Sequence, residues 1–232
     1  MSKRFVLMMA TAAVAAGIGL YGWCGAGHAG ESVGTTDSTL TEVIKLPDPA
    51  TTGGLTLNEA LAKRRSIRSY EDAPITNEQL SQILWSAQGI TEPKRGLRTA
   101  PSAMAAYPLD IYAVTADGVF KYIPKDHSIQ VLKKGDNRAS LTGGHQTWLA
   151  NAALDIVIVS VPERMKRFGD RGKNWAAYEA GAVAQNALLE ATALGFGSCT
   201  VGGFDPAKTA QFLGLTTDME VVIILPIGKA AK

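Results

Sequence analysis

Over 232 residues, with 46% apolar and 19% charged positions, the chain has an ordinary globular composition and is long enough for one full core, so one domain is the expectation. Lys and Arg number 23 against 21 Asp and Glu, and both Lys3 and Arg4 fall within the first 29 residues, so the remainder is balanced at 21 of each. That balance, with no basic patch interleaved with aromatics, argues against a nucleic-acid partner. With Cys24 in the same leading segment, Cys199 is the one cysteine left beyond residue 29, and an intramolecular disulfide is excluded.

The leading segment reads as a secretory signal. Lys3 and Arg4 give a positive start, Phe5 to Leu20 is apolar and alanine-rich, and Gly27-His28-Ala29 offers small residues where a signal peptidase cuts, which assigns residues 1–29 to a cleaved signal and the protein to the periplasm. Two alternatives stay open: an uncleaved membrane anchor through residues 5–24, or lipid attachment at Cys24, which Trp23 disfavours by its bulk. Residues 30–54 are rich in Thr, Ser, Gly and Pro and read as a linker or surface arm, with Val43-Ile44-Leu46 able to dock it. The domain then runs over 55–232.

Thr56-Leu57-Asn58-Glu59 is a capping box that opens a helix over Leu57 to Arg64, with Leu57 and Leu61 turned inward. At its end stands Arg64-Arg65-Ser66-Ile67-Arg68-Ser69-Tyr70. If Ile67 points inward on an extended segment, Ser66 and Arg68 project to the other side. Guanidinium forks and a hydroxyl converging there suit a phosphate dianion; the alternative is a solvated basic helix end that complements the helix dipole. A second capping box at Thr76 to Gln79 opens a helix with Leu80, Ile83, Leu84 and Ala87 at helical spacing, stopped by Gly89.

Pro101-Ser102-Ala103 is small enough to let a flat ligand approach the backbone, although by itself the triplet is weak evidence and a plain loop is the favoured reading. Leu109 to Val114 and Val119 to Ile123 form a hairpin around Ala116-Asp117-Gly118. Pro124 to Gly144 reads as a polar connection. Leu154 to Val161, apolar and β-branched, reads as a strand buried on both faces at the centre of a sheet. Trp175 to Leu194 is a long alanine-rich helix ended by Gly195, and Gly197 to Asp205 a glycine-rich turn able to present backbone amides, with Asp205 or Thr200 as capping groups. Pro206 to Leu213 is a short helix and Glu220 to Pro226 a last buried strand. This order of elements makes an α+β domain with a mixed sheet.

His127 and His145 are not at metal-ligand spacing, and neither a Gly-x-Ser-x-Gly elbow nor a Walker loop is present. Cys199 reads as a buried structural cysteine rather than a nucleophile, and His145 as a hydrogen-bonded packing residue rather than a base. Without an evident side-chain catalytic set, chemistry belongs to a cofactor.

Set side by side, these stretches resemble the FMN-dependent nitroreductase superfamily. Arg64-Arg65-Ser66-Ile67-Arg68 is similar to its opening Arg-x-Ser-x-Arg/Lys motif, and Pro101-Ser102-Ala103 to its Pro-Ser-Ser/Ala loop. Gly181-x-x-x-Gln185-Asn186 with Leu194-Gly195-x-Gly197-Ser198 resembles its long helix and exit, Val201 to Asp205 its Gly-Phe-Asp turn, and Leu225-Pro226-Ile227-Gly228 its last strand. Within that superfamily, Leu84-Trp85-Ser86-Ala87-Gln88-Gly89-Ile90 and Ala106-Tyr107-Pro108-Leu109 look like the SagB-type branch of dehydrogenases and oxidoreductases.

The resemblance implies a nitroreductase-like fold, a mainly antiparallel sheet flanked by helices, in a homodimer. It implies FMN, with Arg64, Ser66 and Arg68 on the phosphate and ribityl chain, Arg65 beside them, and Lys229 adding charge. It places Ser102 and Ala103 against the isoalloxazine from the partner subunit and Gly202 and Gly203 with their amides near the ring. Met104 stands where SagB-type relatives commonly have glycine. The implied activity is hydride transfer through flavin N5 in alternating half-reactions between an electron donor and a small organic acceptor such as a nitroaromatic or quinone, or dehydrogenation of a substrate. A non-catalytic flavin-binding or structural protein of the same fold is the alternative, and an α+β binding protein without flavin a third.

Overall fold

The computed structural model describes residues 42–142 and 144–231. The signal, anchor and lipidation readings, and residues 30–41 of the arm, lie outside the described residues. Sequence hydrophobicity organises the rest around one strand, β7 (Leu154–Ser160), buried at every position. Its β-branched side chains serve both faces at once, which a strand does only when layers cover it above and below.

We number the other elements in chain order: β1 (Val43–Lys45), α1 (Leu57–Lys63), α2 (Asn77–Gln88), β2 (Ile90–Glu92), β3 (Leu97–Arg98), β4 (Leu109–Thr115), β5 (Gly118–Ile123) and β6 (Ser128–Lys134). After β7 come α3 (Arg171–Ala193), β8 (Gly197–Ser198), α4 (Pro206–Leu213) and β9 (Glu220–Gly228). The main sheet has the order β1-β6-β5-β4-β7-β9-β8, every neighbouring pair antiparallel. A parallel bridge between Ser66 and Ser198 makes it mixed. Strand β7 therefore lies between β4 and β9, one place from the middle, where the sequence suggested the middle itself.

One face carries Ile111, Ala113, Leu154, Ile156, Ile158, Leu225 and Ile227 under α2 and α3. Both helices follow from their spacing: Thr76 and Gln79 satisfy each other's amides at the start of α2, and Leu80, Ile83, Leu84 and Ala87 are buried. Gly89 ends α2 without a left-handed turn; it is required because a Cβ there would lie 2.1 Å from Trp85 Cδ1. Gly195 ends α3 in the left-handed region at φ +82°, which glycine adopts without penalty. The opposite face carries Tyr112, Val157, Val159 and Ile224, covered by Leu141, Leu149, Cys199, Val201 and Leu213.

Three expectations need correction. Leu57 and Leu61 do not turn inward: they are 64% and 50% exposed, because the seven-residue α1 lays its small Ala60 against the domain instead. The polar connection from Pro124 to Gly144 contains β6, whose alternation in Ser128-Ile129-Gln130-Val131 is masked by Lys133 and Lys134 at its exposed end. His145 is exposed rather than packed. Cys199 is buried as expected, and Asp205 caps α4 through Ala207 N–H and Lys208 N–H. The arm docks through β1 on β6 and through buried Leu46, while His127 bonds the Pro47 carbonyl, Ser81 and Tyr122.

Asp155 is the exception in β7. It is fully buried, neither carboxyl oxygen has a hydrogen-bond partner among the described residues, and burial holds its pKa well above the usual carboxylate range against the opposing pull of Arg138. A raised folded-state pKa means that the folded chain binds a proton that the unfolded chain has released. Stability from this group is therefore lost as pH rises from the ordinary carboxylate range through the raised value. Urea denaturation at pH 5 and pH 8 is expected to show Asp155→Asn removing part of the wild-type loss between the two. Equal losses in both proteins would mean that Asp155 finds a partner.

Candidate functional site

The arginine segment leaves α1 at Arg64 and immediately becomes sheet. Ile67 N–H donates to the Ser198 carbonyl at 3.0 Å, Tyr70 bridges Ala230, and Ala231 N–H donates to the Ser69 carbonyl at 3.0 Å. The segment is thus held between β8 and the stretch after β9. Ile67 packs on Gly197, and Tyr70 is buried with its hydroxyl donating to the Ile67 carbonyl at 2.7 Å. Alternation then puts Ser66 and Arg68 outward, and both are exposed.

Arg64 and Arg68 make no side-chain hydrogen bond or ion pair among the described residues. Two guanidiniums four residues apart, on a backbone fixed at both flanks, can close on one oxyanion. Arg65 goes elsewhere: its Nη1 turns back to the carbonyls of Ala62 and Arg64 at 3.1 and 2.7 Å and stabilises the end of α1. Lys229 lies at this end of the sheet but pairs with Glu71 at 2.7 Å, so most of its charge is compensated there.

Gly202 and Gly203 are exposed and follow Val201, which pairs with Ile224. Gly203 faces Gln146, whose Oε1 accepts from Trp148 Nε1 at 2.6 Å, and Trp148 packs beside Tyr70 with ring centroids 6.2 Å apart. The structure therefore gathers the arginine segment, the glycine turn and Gln146-Trp148 at one end of the sheet. Gln146 and Trp148 were missed because they sit in a polar loop with no periodic pattern to mark them.

Ser102 and Ala103 lie apart from this group. Ala103 N–H donates to Glu179 Oε1 at 2.9 Å, and Glu179 is 14 residues before the end of α3, about 21 Å along the axis at 1.5 Å per residue. Ala103 is thus tied to the middle of α3, whereas the arginine segment is tied to β8 beyond the end of that helix. Beside them Pro101, Trp175, Tyr178 and Ala182 line an apolar cavity of about 460 Å³. Glu179 was legible only as one of two acids in an alanine-rich helix; it is buried, and its second oxygen has no partner among the described residues. The following loop is strained, with φ of 52°, 53° and 45° at Met104, Ala105 and Tyr107, and Met104 is 76% exposed.

A flavin phosphate fits the uncompensated Arg64 and Arg68, and a flat ring fits the exposed Gly202, where an added Cβ would meet no neighbour within 4 Å, beside Gly203 and Gln146. Comparison with known proteins agrees with this fold. Against solved structures, the chain shares the fold of a crystal structure from Ralstonia eutropha JMP134, provisionally assigned as a nitroreductase, at 32% identity and a TM-score of 0.76, covering 82% of this chain and 90% of that one. The NADPH:FMN oxidoreductase of Vibrio harveyi, solved with NAD+, has the same fold at 23% identity and a TM-score of 0.57, over 76% and 69% of the two chains. A Methanocaldococcus jannaschii protein provisionally named a nitroreductase is 38% identical over 195 residues, 80% of this chain and 96% of that one. Residues 61–229 match the Nitroreductase family as a whole, and the chain belongs to that family. Membership supports an oxidoreductase.

Proposed function

We propose that the protein is an FMN-dependent oxidoreductase of the SagB-type branch, acting as a homodimer after export. The observation that carries the cofactor is the pair Arg64 and Arg68, uncompensated on a segment locked to Ser198 and Ala231. Arg64, Ser66 and Arg68 would hold the phosphate and ribityl chain, and Gly202 and Gly203 would offer amides to the ring. Bound there, FMN would supply hydride transfer between an electron donor and a small oxidised acceptor. The chain's own part is to bind, orient and exclude water.

Two observations support the dimer. Ala103 is tied to Glu179 in the middle of α3 while the arginine segment is tied to β8 after it, a separation that a shared interface would bridge. Leu57 and Leu61 on α1, Tyr178 on α3 and Met104 form exposed apolar surface on the elements that would meet a second copy. Export would separate the protein from cytoplasmic nicotinamides, so a different donor, or reduction by the substrate being dehydrogenated, is expected.

The test is an absorbance spectrum of the purified protein with the released chromophore identified. Yellow protein releasing FMN, unresponsive to NADPH but reduced by another donor, is the expected result. A colourless protein that takes up no added FMN would overturn the cofactor reading, and rapid steady-state NADPH turnover the choice of donor.

A further inference from the structure

A second cavity, of about 560 Å³, opens where β4 begins and β5 finishes, remote from the arginine segment in sequence and fold. Its charged lining is Arg98, Lys121, Lys125 and Arg164 against a single carboxylate, Asp110. Both oxygens of Asp110 are already taken, Oδ2 by Lys121 at 2.7 Å and Oδ1 by Arg164 at 2.7 Å. Burial alone would raise the Asp110 pKa, but the two cations outweigh it and hold the carboxyl below its usual range.

Arg98 is left without a carboxylate. Its guanidinium stacks 4.2 Å over the Tyr107 ring and gives one hydrogen bond, from Nη1 to Gln88 Oε1 at 3.1 Å. Burial lowers its pKa, the sign of a cation whose surroundings supply too little negative charge. Lys125 has no ion-pair or hydrogen-bond partner among the described residues. Four cations facing one anion give a local excess of three positive charges in a chain whose acids and bases otherwise balance beyond residue 29. A concave site of one sign concentrates oppositely charged ligands, and arginine forks select oxyanions.

We propose that this cavity binds a small multivalent oxyanion, a molecule bearing a phosphate group or at least two carboxylates. The anion would sit among Arg98, Lys125 and the unused donors of Arg164 and Lys121. The site also touches the strained loop: Arg164 Nη1 donates to the Tyr107 carbonyl at 3.1 Å, Arg98 N–H donates to the Tyr107 hydroxyl at 3.1 Å, and Tyr107 N–H donates to Ser102 Oγ at 2.8 Å. A ligand that draws the two arginines together therefore also acts on the loop that carries Ser102.

The site is independent of the flavin reading and is tested without activity. Isothermal titration of the full-length protein, saturated with FMN if it binds FMN, would use sodium pyrophosphate in one arm and sodium citrate in the other, at ionic strength held constant with sodium chloride. Expected is one saturable site per chain for at least one probe, with pyrophosphate binding alone assigning a phosphate ligand and citrate binding alone a polycarboxylate. Lys125→Glu, an exposed change with no packing role, and Arg98→Gln should each weaken binding at least tenfold, while Lys94→Glu on a neighbouring exposed loop should not. No saturable binding of either probe would overturn the proposal. So would binding unchanged in both cavity variants, or binding abolished by Arg68→Ala yet retained in Arg98→Gln, which would place the anion on the arginine segment.

Discussion

Replacing Arg64 and Arg68 together by alanine is expected to raise the FMN dissociation constant by about 10²- to 10⁴-fold. Each guanidinium would give a charged hydrogen bond worth about 1.5–3 kcal/mol, and each 1.4 kcal/mol is about tenfold in affinity. The melting temperature without cofactor should barely move, because Arg68 is exposed, Arg64 only half-buried, and neither side chain makes a hydrogen bond or ion pair among the described residues. Titration by flavin fluorescence quenching measures the first effect and thermal denaturation the second. Affinity retained by the double variant would leave the segment as a solvated helix end.

Gly197→Ala should act on the same site from beneath. A Cβ at Gly197 would lie 2.8 Å from Ile67 Cβ and Cγ2 and 2.9 Å from Cγ1, atoms too close to the backbone to swing aside. The strand pairing of Ile67 with Ser198 must then open or the whole segment shift. The expected cost is about 1–3 kcal/mol of stability, the usual range for overpacking, together with weaker FMN binding because Arg68 moves with Ile67. The Ile67→Ala change removes the Cγ1 and Cγ2 contacts and leaves the one at Cβ, so the double variant should recover part of the loss that the two single effects predict. Urea denaturation of the four proteins closes the cycle; strictly additive effects would show that the clash is relieved elsewhere.

What the sequence made legible follows from how local each signal is. The capping boxes at Thr56 and Thr76, the hairpin at Asp117-Gly118 and the almost wholly apolar β7 are encoded within a few residues, and each forms where its pattern lies in the chain. The outward projection of Ser66 and Arg68 was equally legible, since alternation needs only one inward anchor, Ile67. Strand β6 was not, because an edge-side strand paired with a three-residue β1 tolerates Lys133 and Lys134 and loses its alternation. Nor could the leucines of α1 be placed: a seven-residue helix shows too little of the helical period to tell which face is covered. The partners of Arg65 and Lys229, and the tie between Ala103 and Glu179, depend on side-chain directions across distant parts of the chain. The charge excess around Arg98 is dispersed over residues 98 to 164 and emerges only in three dimensions.

The arginine segment is closed at one flank by Tyr70 on Pro226, 156 positions later, and by Ser69 on Ala231. An emerging chain exposes Arg64 to Arg68 early, yet nothing holds them in register until nearly all of the domain has been made. Capture of the proposed cofactor would therefore come at the end of synthesis, after the sheet has formed and not as a template for it. If the chain is exported unfolded as proposed, the proposed flavin would be acquired only on the far side of the membrane, from whatever supply exists there.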